Sequence, residues 1–184
     1  GEICKFQTIR DSESKGIVII HQELALVPLL TIGENMFLGN EKGTKAKINW
    51  SETFDKADEL LRMVGLKDSS KTLIKDIGVG KQQLVEIAKA LGKNVKLLIL
   101  DEPTNHLDLE MIEWLEAYLR RESKALLMVT HDRYFLDRVC DEIVELDDTT
   151  LYSYKGNYAY FLEKRDERIA AANANVARAQ NLYR

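Results

Sequence analysis

A short apolar run that ends in two acidic residues constrains this chain more than any other feature of its sequence. Leu97–Leu100 is entirely branched and aliphatic, and Asp101, Glu102 and Pro103 follow at once. Such a run predicts a buried strand, and proline ends it because proline cannot donate to a sheet ladder. Carboxylates at the carboxyl end of a parallel strand lie where open α/β sheets bind ligands. The sequence therefore predicts a ligand site at this sheet edge.

Three further short runs rich in β-forming residues predict buried strands, namely Ile17–Ile20, Ala125–Val129 and Glu142–Leu146. Continuous apolar runs are typical of a parallel sheet covered on both faces, so we expect an α/β fold with a mainly parallel sheet. Each run is far shorter than the roughly 20 residues that cross a bilayer. We therefore expect no direct membrane insertion.

The composition excludes several other classes of protein. The chain is 45% hydrophobic and 30% charged, which is ordinary for a globular domain. Its net charge of −4 gives no general attraction to nucleic acid or to anionic membranes. Cys4 and Cys140 stand alone, without the spacing of a metal site or a disulfide framework. We therefore expect a cytoplasmic protein.

Helical patterns fill most of the space between the strands. One apolar face recurs at helical spacing in Trp50–Val64, Gln82–Leu91 and Leu109–Arg121. Asn49 or Ser51 is the expected N-cap of the first of these helices, and Gly65 is its expected stop. We expect an α/β core (residues 1–23 and 93–155), an α-helical subdomain (24–92) and a C-terminal helix (156–184).

The C-terminal helix carries a weak heptad pattern. Leu162, Ile169, Val176 and Tyr183 recur every seven residues, as in a short coiled coil. Two interpretations stay open, an amphipathic helix that lies on its own domain and an arm between domains.

The residues after the central strand carry a family resemblance. Asp101-Glu102-Pro103-Thr104-Asn105-His106-Leu107-Asp108 resembles the Walker B and D-loop segments of ATP-binding cassette (ABC) proteins. The resemblance implies a P-loop-NTPase-type cassette that uses ATP and Mg²⁺. In such a cassette Asp101 holds magnesium through water and Glu102 is the catalytic base. Asn105 and Asp108 are then nucleotide-site residues in the loop that touches the opposite cassette.

Three further segments follow in the family's order. Gln22 stands just after the first strand, like the Q-loop glutamine that contacts magnesium. Residues 78–82, Gly-Val-Gly-Lys-Gln, resemble the cassette signature in a variant form, without its serine and with Lys81 supplying charge. Glycines that open a helix expose N–H groups suited to a γ-phosphate, so the resemblance makes Gly78, Val79, Gly80, Lys81 and Gln82 nucleotide-binding residues. His131 resembles the H-loop histidine, which senses the γ-phosphate and is counted as catalytic.

The resemblance divides between two subfamilies. Residues 1–104 resemble the ATP-binding subunit of a monosaccharide (xylose-type) importer, through residues 16–26, 33–39 and the variant signature. Residues 105–184 resemble ABC-F proteins, tandem cassettes that act on ribosomes, through residues 130–137 and 154–165. We interpret the chain as a hybrid with its junction in Leu98–Thr104. The implied partners are another ABC cassette in a head-to-tail dimer and a membrane permease or a ribosome; a permease would place the chain at the membrane.

The phosphate loop G-x-x-x-x-G-K-[ST] does not occur in these 184 residues. This loop supplies most of the positioning and charge for phosphoryl transfer. We therefore expect weak or absent ATPase activity in the chain alone, and apolar surface on a truncated core. Three hypotheses stay open: an ABC ATPase domain, a non-catalytic module that binds a ribosome or a domain through its C-terminal helix, and an unproductive hybrid.

Overall fold

The computed structural model describes residues 4–44, 47–122 and 124–182, with side chains as far as residue 174. The chain forms two compact units, Gly1–His131 and Asp132–Arg184. The three-part domain division expected from the sequence stays a prediction. None of the described helices has both the length and the apolar character needed to cross a membrane.

The first unit alternates helices with strands. Its elements in chain order are α1 (Ile9–Ser14), β1 (Ile17–Ile20), α2 (Ile32–Phe37), β2 (Gly43–Thr44), β3 (Lys47–Ile48), α3 (Trp50–Met63), a 3-10 turn (Ile74–Asp76), α4 (Val79–Leu91), β4 (Leu97–Asp101), α5 (Leu109–Arg121) and β5 (Ala125–Val129). β1, β4 and β5 form a parallel sheet in the order β1-β4-β5. The predicted α/β fold with a parallel sheet is therefore confirmed.

One face of this sheet is buried and the other is open. Val18, Leu98 and Leu100 are each at most 4% exposed. On the opposite face, Ile19 is 46% and Leu127 is 50% exposed, and the register places both beside Ile99. The described residues therefore do not form a sheet covered on both faces, and the open face agrees with the apolar surface that we expected on the core.

The helices between β1 and β4 pack on one another, and α4 also packs on β1. Asn49 caps α3 by accepting the backbone N–H of Glu52, and Gly65 follows the helix with a φ of 75°. The sequence predicted both the cap and the stop. Glycine suits the stop because it adopts a positive φ without strain. α4 begins at Val79 rather than at Gln82, because glycine lacks the side chain that usually marks a helix start.

The second unit contains α6 (Arg133–Val139), β6 (Glu142–Asp147), β7 (Thr150–Lys155) and α7 (Tyr158–Leu182). β6 pairs antiparallel with β7 in a hairpin. The prediction that Glu142–Leu146 joins the parallel sheet is therefore wrong, because a two-residue turn at Asp148 and Thr149, both with positive φ, folds the strand onto its neighbour.

Aromatic and ionic contacts hold the start of α7 on this hairpin. Phe161 meets the ring of Tyr154 edge to face at a centroid distance of 5.2 Å. Arg168 pairs with Glu145 and Asp147, each at 3.0 Å. Ile169, one residue further along α7, is 44% exposed. The heptad positions Val176 and Tyr183 lie outside the described side chains.

Candidate functional site

The carboxyl ends of the three parallel strands bring four of the predicted residues to one edge of the sheet. Gln22 follows β1, Asp101 ends β4 with Glu102 directly after it, and His131 follows β5. Adjacent parallel strands end on the same side, so these residues lie at the position where open α/β sheets bind ligands. Gln22 is exposed and makes no hydrogen bond with a described residue.

Glu102 is the most constrained residue at this edge. Glu102 is 8% exposed. Its φ of 47° lies in the left-handed region, which is unfavourable for a residue with a side chain of this size. Its backbone N–H donates to the carbonyl of Val129 at 2.9 Å. Its Oε2 accepts the backbone N–H of His131 at 3.2 Å. The turn after β4 is therefore fixed to the end of β5, and such strain is common at functional sites.

His131 also brings its side chain to this carboxylate. Its Nε2 lies 3.4 Å from Oε1 of Glu102, although the imidazole is 98% exposed. One carboxylate oxygen thus accepts a backbone N–H and the other faces an accessible ring nitrogen. Such an arrangement can orient a water molecule and move its proton.

Asp101 precedes Glu102 in the chain and is half-buried. Its side chain has no ion pair or hydrogen bond within the ranges that the structure describes. Hard carboxylate and amide oxygens suit Mg²⁺, which keeps several waters and needs one or two protein carboxylates. Asp101 and Gln22 therefore fit a water-bound magnesium. The described residues contain no group of three or more His, Cys, Asp or Glu that would make an all-protein metal cage.

The variant signature forms the beginning of α4. Gly78 is the N-cap and has no side chain to satisfy the first N–H groups. Val79 is the first helical residue and is 49% exposed. The side-chain amide of Gln82 donates to the carbonyls of Ile74 and Ile77 at 3.2 and 3.0 Å. This segment therefore offers free backbone donors while Gln82 fixes the preceding turn.

Gly80 brings this helix start against the loop that follows Glu102. A Cβ at Gly80 would lie 2.6 Å from the carbonyl oxygen of His106 and 3.4 Å from the sulfur of Met111. Asn105 is exposed in the same loop, and the carboxylate of Asp108 accepts the Met111 N–H at 2.9 Å as the N-cap of α5. The structure thus joins two predicted groups, the signature and the D-loop, at a point where only glycine fits.

Lys81 has a partner that sequence reasoning missed. Its Nζ lies 3.0 Å from Oδ1 and 2.9 Å from Oδ2 of Asp68, which belongs to the loop after α3. The side chain of Asp68 is 19% exposed and that of Lys81 is 44% exposed. No local sequence pattern predicts this ion pair, because it depends on the path of the loop between two helices.

Asn35 is a second residue that the sequence did not single out. It is 1% exposed, and its side chain bonds both backbone groups of Val27 and the carbonyl of Thr31. It therefore fixes the segment that follows Gln22. The nearby Thr31-Ile32-Gly33-Glu34 has the form of a capping box, a signal that would have revealed α2.

Comparison with known proteins assigns this arrangement to a family. A family profile described as ABC transporter matches residues 1–105, and a second profile with the same description matches residues 144–184. The chain belongs to the ABC transporter family. It is a member of the ABC ATPase cassettes by fold and sequence.

Its similarity to individual members of this family is substantial. The chain is 52% identical over 151 residues to the L-arabinose transport ATP-binding protein AraG of Geobacillus stearothermophilus, covering 80% of this chain and 29% of that protein. It is 48% identical over 143 residues to the uncharacterized ABC transporter ATP-binding protein YfmR of Bacillus subtilis, covering 76% and 23%. It is 44% identical over 151 residues to the xylose import ATP-binding protein XylG of Moorella thermoacetica, covering 80% and 30%. The chain thus spans less than a third of the length of these curated relatives.

Solved ABC cassettes share the fold. A dimeric, post-hydrolysis structure of the ATP-binding cassette MJ0796 with ADP and Pi has a TM-score of 0.65 and 25% identity, covering 82% of this chain and 68% of that one. A second dimeric structure of MJ0796 gives a TM-score of 0.64 over the same shares. Family membership therefore has both sequence and structural support.

Proposed function

We propose that this chain supplies the magnesium-binding and water-activating edge of an ATP-hydrolysing cassette. The observation that carries the proposal is Glu102, buried at the end of β4 in a left-handed conformation with its carboxylate bonded to His131. A base held in this way is positioned before any substrate arrives. Asp101 and Gln22 lie at the same sheet edge and present oxygens to magnesium.

Each residue has its own part in this proposal. Asp101 and Gln22 would hold a magnesium ion through water, and this ion would neutralise phosphate charge. Glu102 orients the attacking water and accepts its proton. His131 contacts the γ-phosphate with its exposed imidazole.

The signature and the D-loop serve the opposite cassette. The free N–H groups at the start of α4 suit the γ-phosphate of ATP bound by a partner, because a helix N-terminus attracts anions. The loop with Asn105 and Asp108 adjoins this helix start at Gly80. Head-to-tail pairing with a second cassette is therefore part of the proposal, and the dimeric MJ0796 structures support it.

Sugar uptake is the transport role that we propose for the assembled protein. AraG and XylG are named for L-arabinose transport and xylose import. In that role a membrane permease would be the partner and would hold the cassette at the cytoplasmic side of the membrane. Because these 184 residues contain no phosphate loop, we expect the chain alone to hydrolyse ATP negligibly.

Manganese–ATP tests the proposed edge without requiring turnover. Mn²⁺ replaces Mg²⁺ at oxygen sites and broadens NMR signals near it. We expect broadening of the amide signals of Gln22, Glu102 and His131, and its loss in Asp101→Asn. Asp55→Asn, an exposed change of equal charge on α3, is the matched control and should keep the broadening. Equal broadening in wild type and Asp101→Asn would refute the magnesium assignment.

The second candidate function is a non-catalytic interaction module that includes α7. The observation that favours it is the anchoring of α7 by Phe161 and Arg168, followed by the exposed Ile169. The comparable identities to AraG and YfmR are also compatible with a hybrid of two subfamilies. Salt-resistant co-sedimentation with ribosomes, lost when residues 169–184 are removed, would support this role. Equal sedimentation of both forms would count against it.

A further inference from the structure

The ion pair between Lys81 and Asp68 lies directly beside the proposed phosphate-binding helix start. Lys81 is in the first turn of α4, where the helix dipole is positive and a cation is unfavourable. That turn contains no acidic residue of its own. Asp68, from the loop after α3, brings both carboxylate oxygens to the ammonium group at 2.9–3.0 Å. The carboxylate therefore offsets an unfavourable charge that the variant signature introduces.

The same carboxylate must also oppose an incoming phosphate. Lys81 remains 44% exposed, so its ammonium group faces solvent while it contacts Asp68. A phosphate at the N–H groups of α4 would meet a lysine whose charge is already balanced by a neighbouring anion. At separations of a few ångströms near a surface, one charge changes such an interaction severalfold.

We propose that Asp68 is a positioning residue that holds Lys81 at the start of α4 and thereby weakens the binding of a terminal phosphate there. This inference rests on the proposed role of the signature segment. Asp68 acts through Lys81, so its effect requires the lysine. The pair limits the affinity of the helix start for free polyphosphate, while the N–H groups remain available to a nucleotide presented by a partner cassette.

The test uses the full 184-residue chain and sodium triphosphate as the probe. Binding is followed by the amide signals of Gly78 and Gly80 in ¹⁵N-labelled protein, since glycine signals are well separated. We expect Asp68→Asn to bind triphosphate about three- to tenfold more tightly than wild type, and Lys81→Gln to bind more weakly. When Asp68→Asn is added to Lys81→Gln, the affinity for triphosphate should rise clearly less than it does when Asp68→Asn is made in the wild-type protein.

Two further variants separate this role from simple packing. Asp68→Glu keeps the negative charge and should bind triphosphate with the affinity of the wild type. If the short aspartate side chain acted only through packing, Asp68→Glu would change the affinity as Asp68→Asn does. Asp55→Asn makes the same change of net charge on α3 and should leave the affinity unchanged. If Asp68→Asn does not fold, Asp68→Ser makes the same charge change with a smaller side chain.

The outcomes distinguish this inference from the function on which it rests. If triphosphate binding weakens in Lys81→Gln but stays unchanged in Asp68→Asn, the proposed role of Asp68 is wrong. The anion-binding role of the signature segment would then still stand. Equal gains from Asp68→Asn with and without Lys81 would also overturn the role of Asp68. Glycine signals that do not move in any variant would overturn the anion-binding role of the signature segment and this inference with it.

Discussion

Oε2 of Glu102 accepts the backbone N–H of His131 at 3.2 Å, while the imidazole of the same histidine reaches Oε1 at 3.4 Å. The end of β4 and the end of β5 are thus joined through a single carboxylate. This relationship separates what the carboxylate does for the fold from what it does for chemistry.

Two substitutions at Glu102 should differ in their effect on stability. Glu102→Gln keeps an oxygen that accepts the His131 N–H, so we expect little change in the free energy of unfolding. Glu102→Ala leaves that N–H unpaired and should cost about 1–3 kcal/mol. Urea denaturation at pH 7 measures both, and equal losses would show that the hydrogen bond is not the source of the stability.

The contact at Gly80 predicts a difference between two glycines of one segment. Gly80→Ala should destabilise the first unit by about 1–3 kcal/mol, because its Cβ would lie 2.6 Å from the His106 carbonyl oxygen and the backbone must move. Gly78→Ala is the matched control, since nothing lies within 4 Å of its Cβ, and should change stability by less than about 0.5 kcal/mol. Thermal unfolding compares them, and similar losses would contradict the packing of this helix start on the loop.

Acid should weaken the capping box at the start of α2. Hydrogen bonds from the Thr31 hydroxyl and backbone N–H hold the pKa of Glu34 below its usual value. A lowered folded-state pKa stabilises the fold above the unfolded-state pKa, and this contribution is lost as pH falls through the folded-state pKa. The stability difference between wild type and Glu34→Gln should therefore shrink from pH 7 to pH 3. A constant difference in urea titrations would argue against the capping interaction.

The two faces of the sheet should respond differently to the same substitution. Val18→Thr places a hydroxyl on the buried face, where Val18 is 4% exposed, and should cost about 1–3 kcal/mol. Val129→Thr acts at a residue that is 57% exposed and should change stability by less than about 0.5 kcal/mol. It should also lower the fluorescence of a bound hydrophobic dye such as ANS. Comparable losses in both variants would mean that the second face is covered in solution.

Arg168 should determine how firmly the start of α7 is held. Its hydrogen bond to Asp147 is the main cause of its raised pKa, and its guanidinium also lies 3.8 Å above the ring of Tyr152. Arg168→Met keeps much of the side-chain length but removes the charge. We expect amide hydrogen exchange in residues 158–168 to become severalfold faster, with no change in β4. Unchanged exchange would show that Phe161 alone suffices.

Local signals predicted much of the secondary structure. The bounds of β1, α5 and β5 agree with the sequence, and Asn49 caps α3 as expected. These elements have a clear apolar pattern and, for the helices, their own capping residues. Their bounds could therefore be predicted without knowledge of distant contacts. Exposed apolar surface was expected, but which sheet face carries it and the β6–β7 hairpin were not predicted, because an apolar run does not specify which neighbour will cover or pair with it.

Part of the candidate site was also predictable from local sequence patterns. Asp101, Glu102 and His131 follow strands, and parallel pairing brings strand ends to one edge. The approach of Gly80 to His106 and the pairing of Lys81 with Asp68 depend on the paths of loops, which no spacing rule encodes. The chemical roles of these residues stay predictions that the experiments above address.

The pairing of β1 with β4 also has a consequence for how the chain folds. Ile17 lies beside Leu97, so the edge and the centre of the sheet come from distant parts of the chain. Contacts of such high sequence separation slow folding, since closing the long intervening segment costs conformational entropy before the contacts stabilise the chain. During synthesis Ile17–Ile20 would stay unpaired until β4 has emerged from the ribosome. The helices from α2 to α4, which pack on one another between these strands, would shorten this delay by drawing the two strands together.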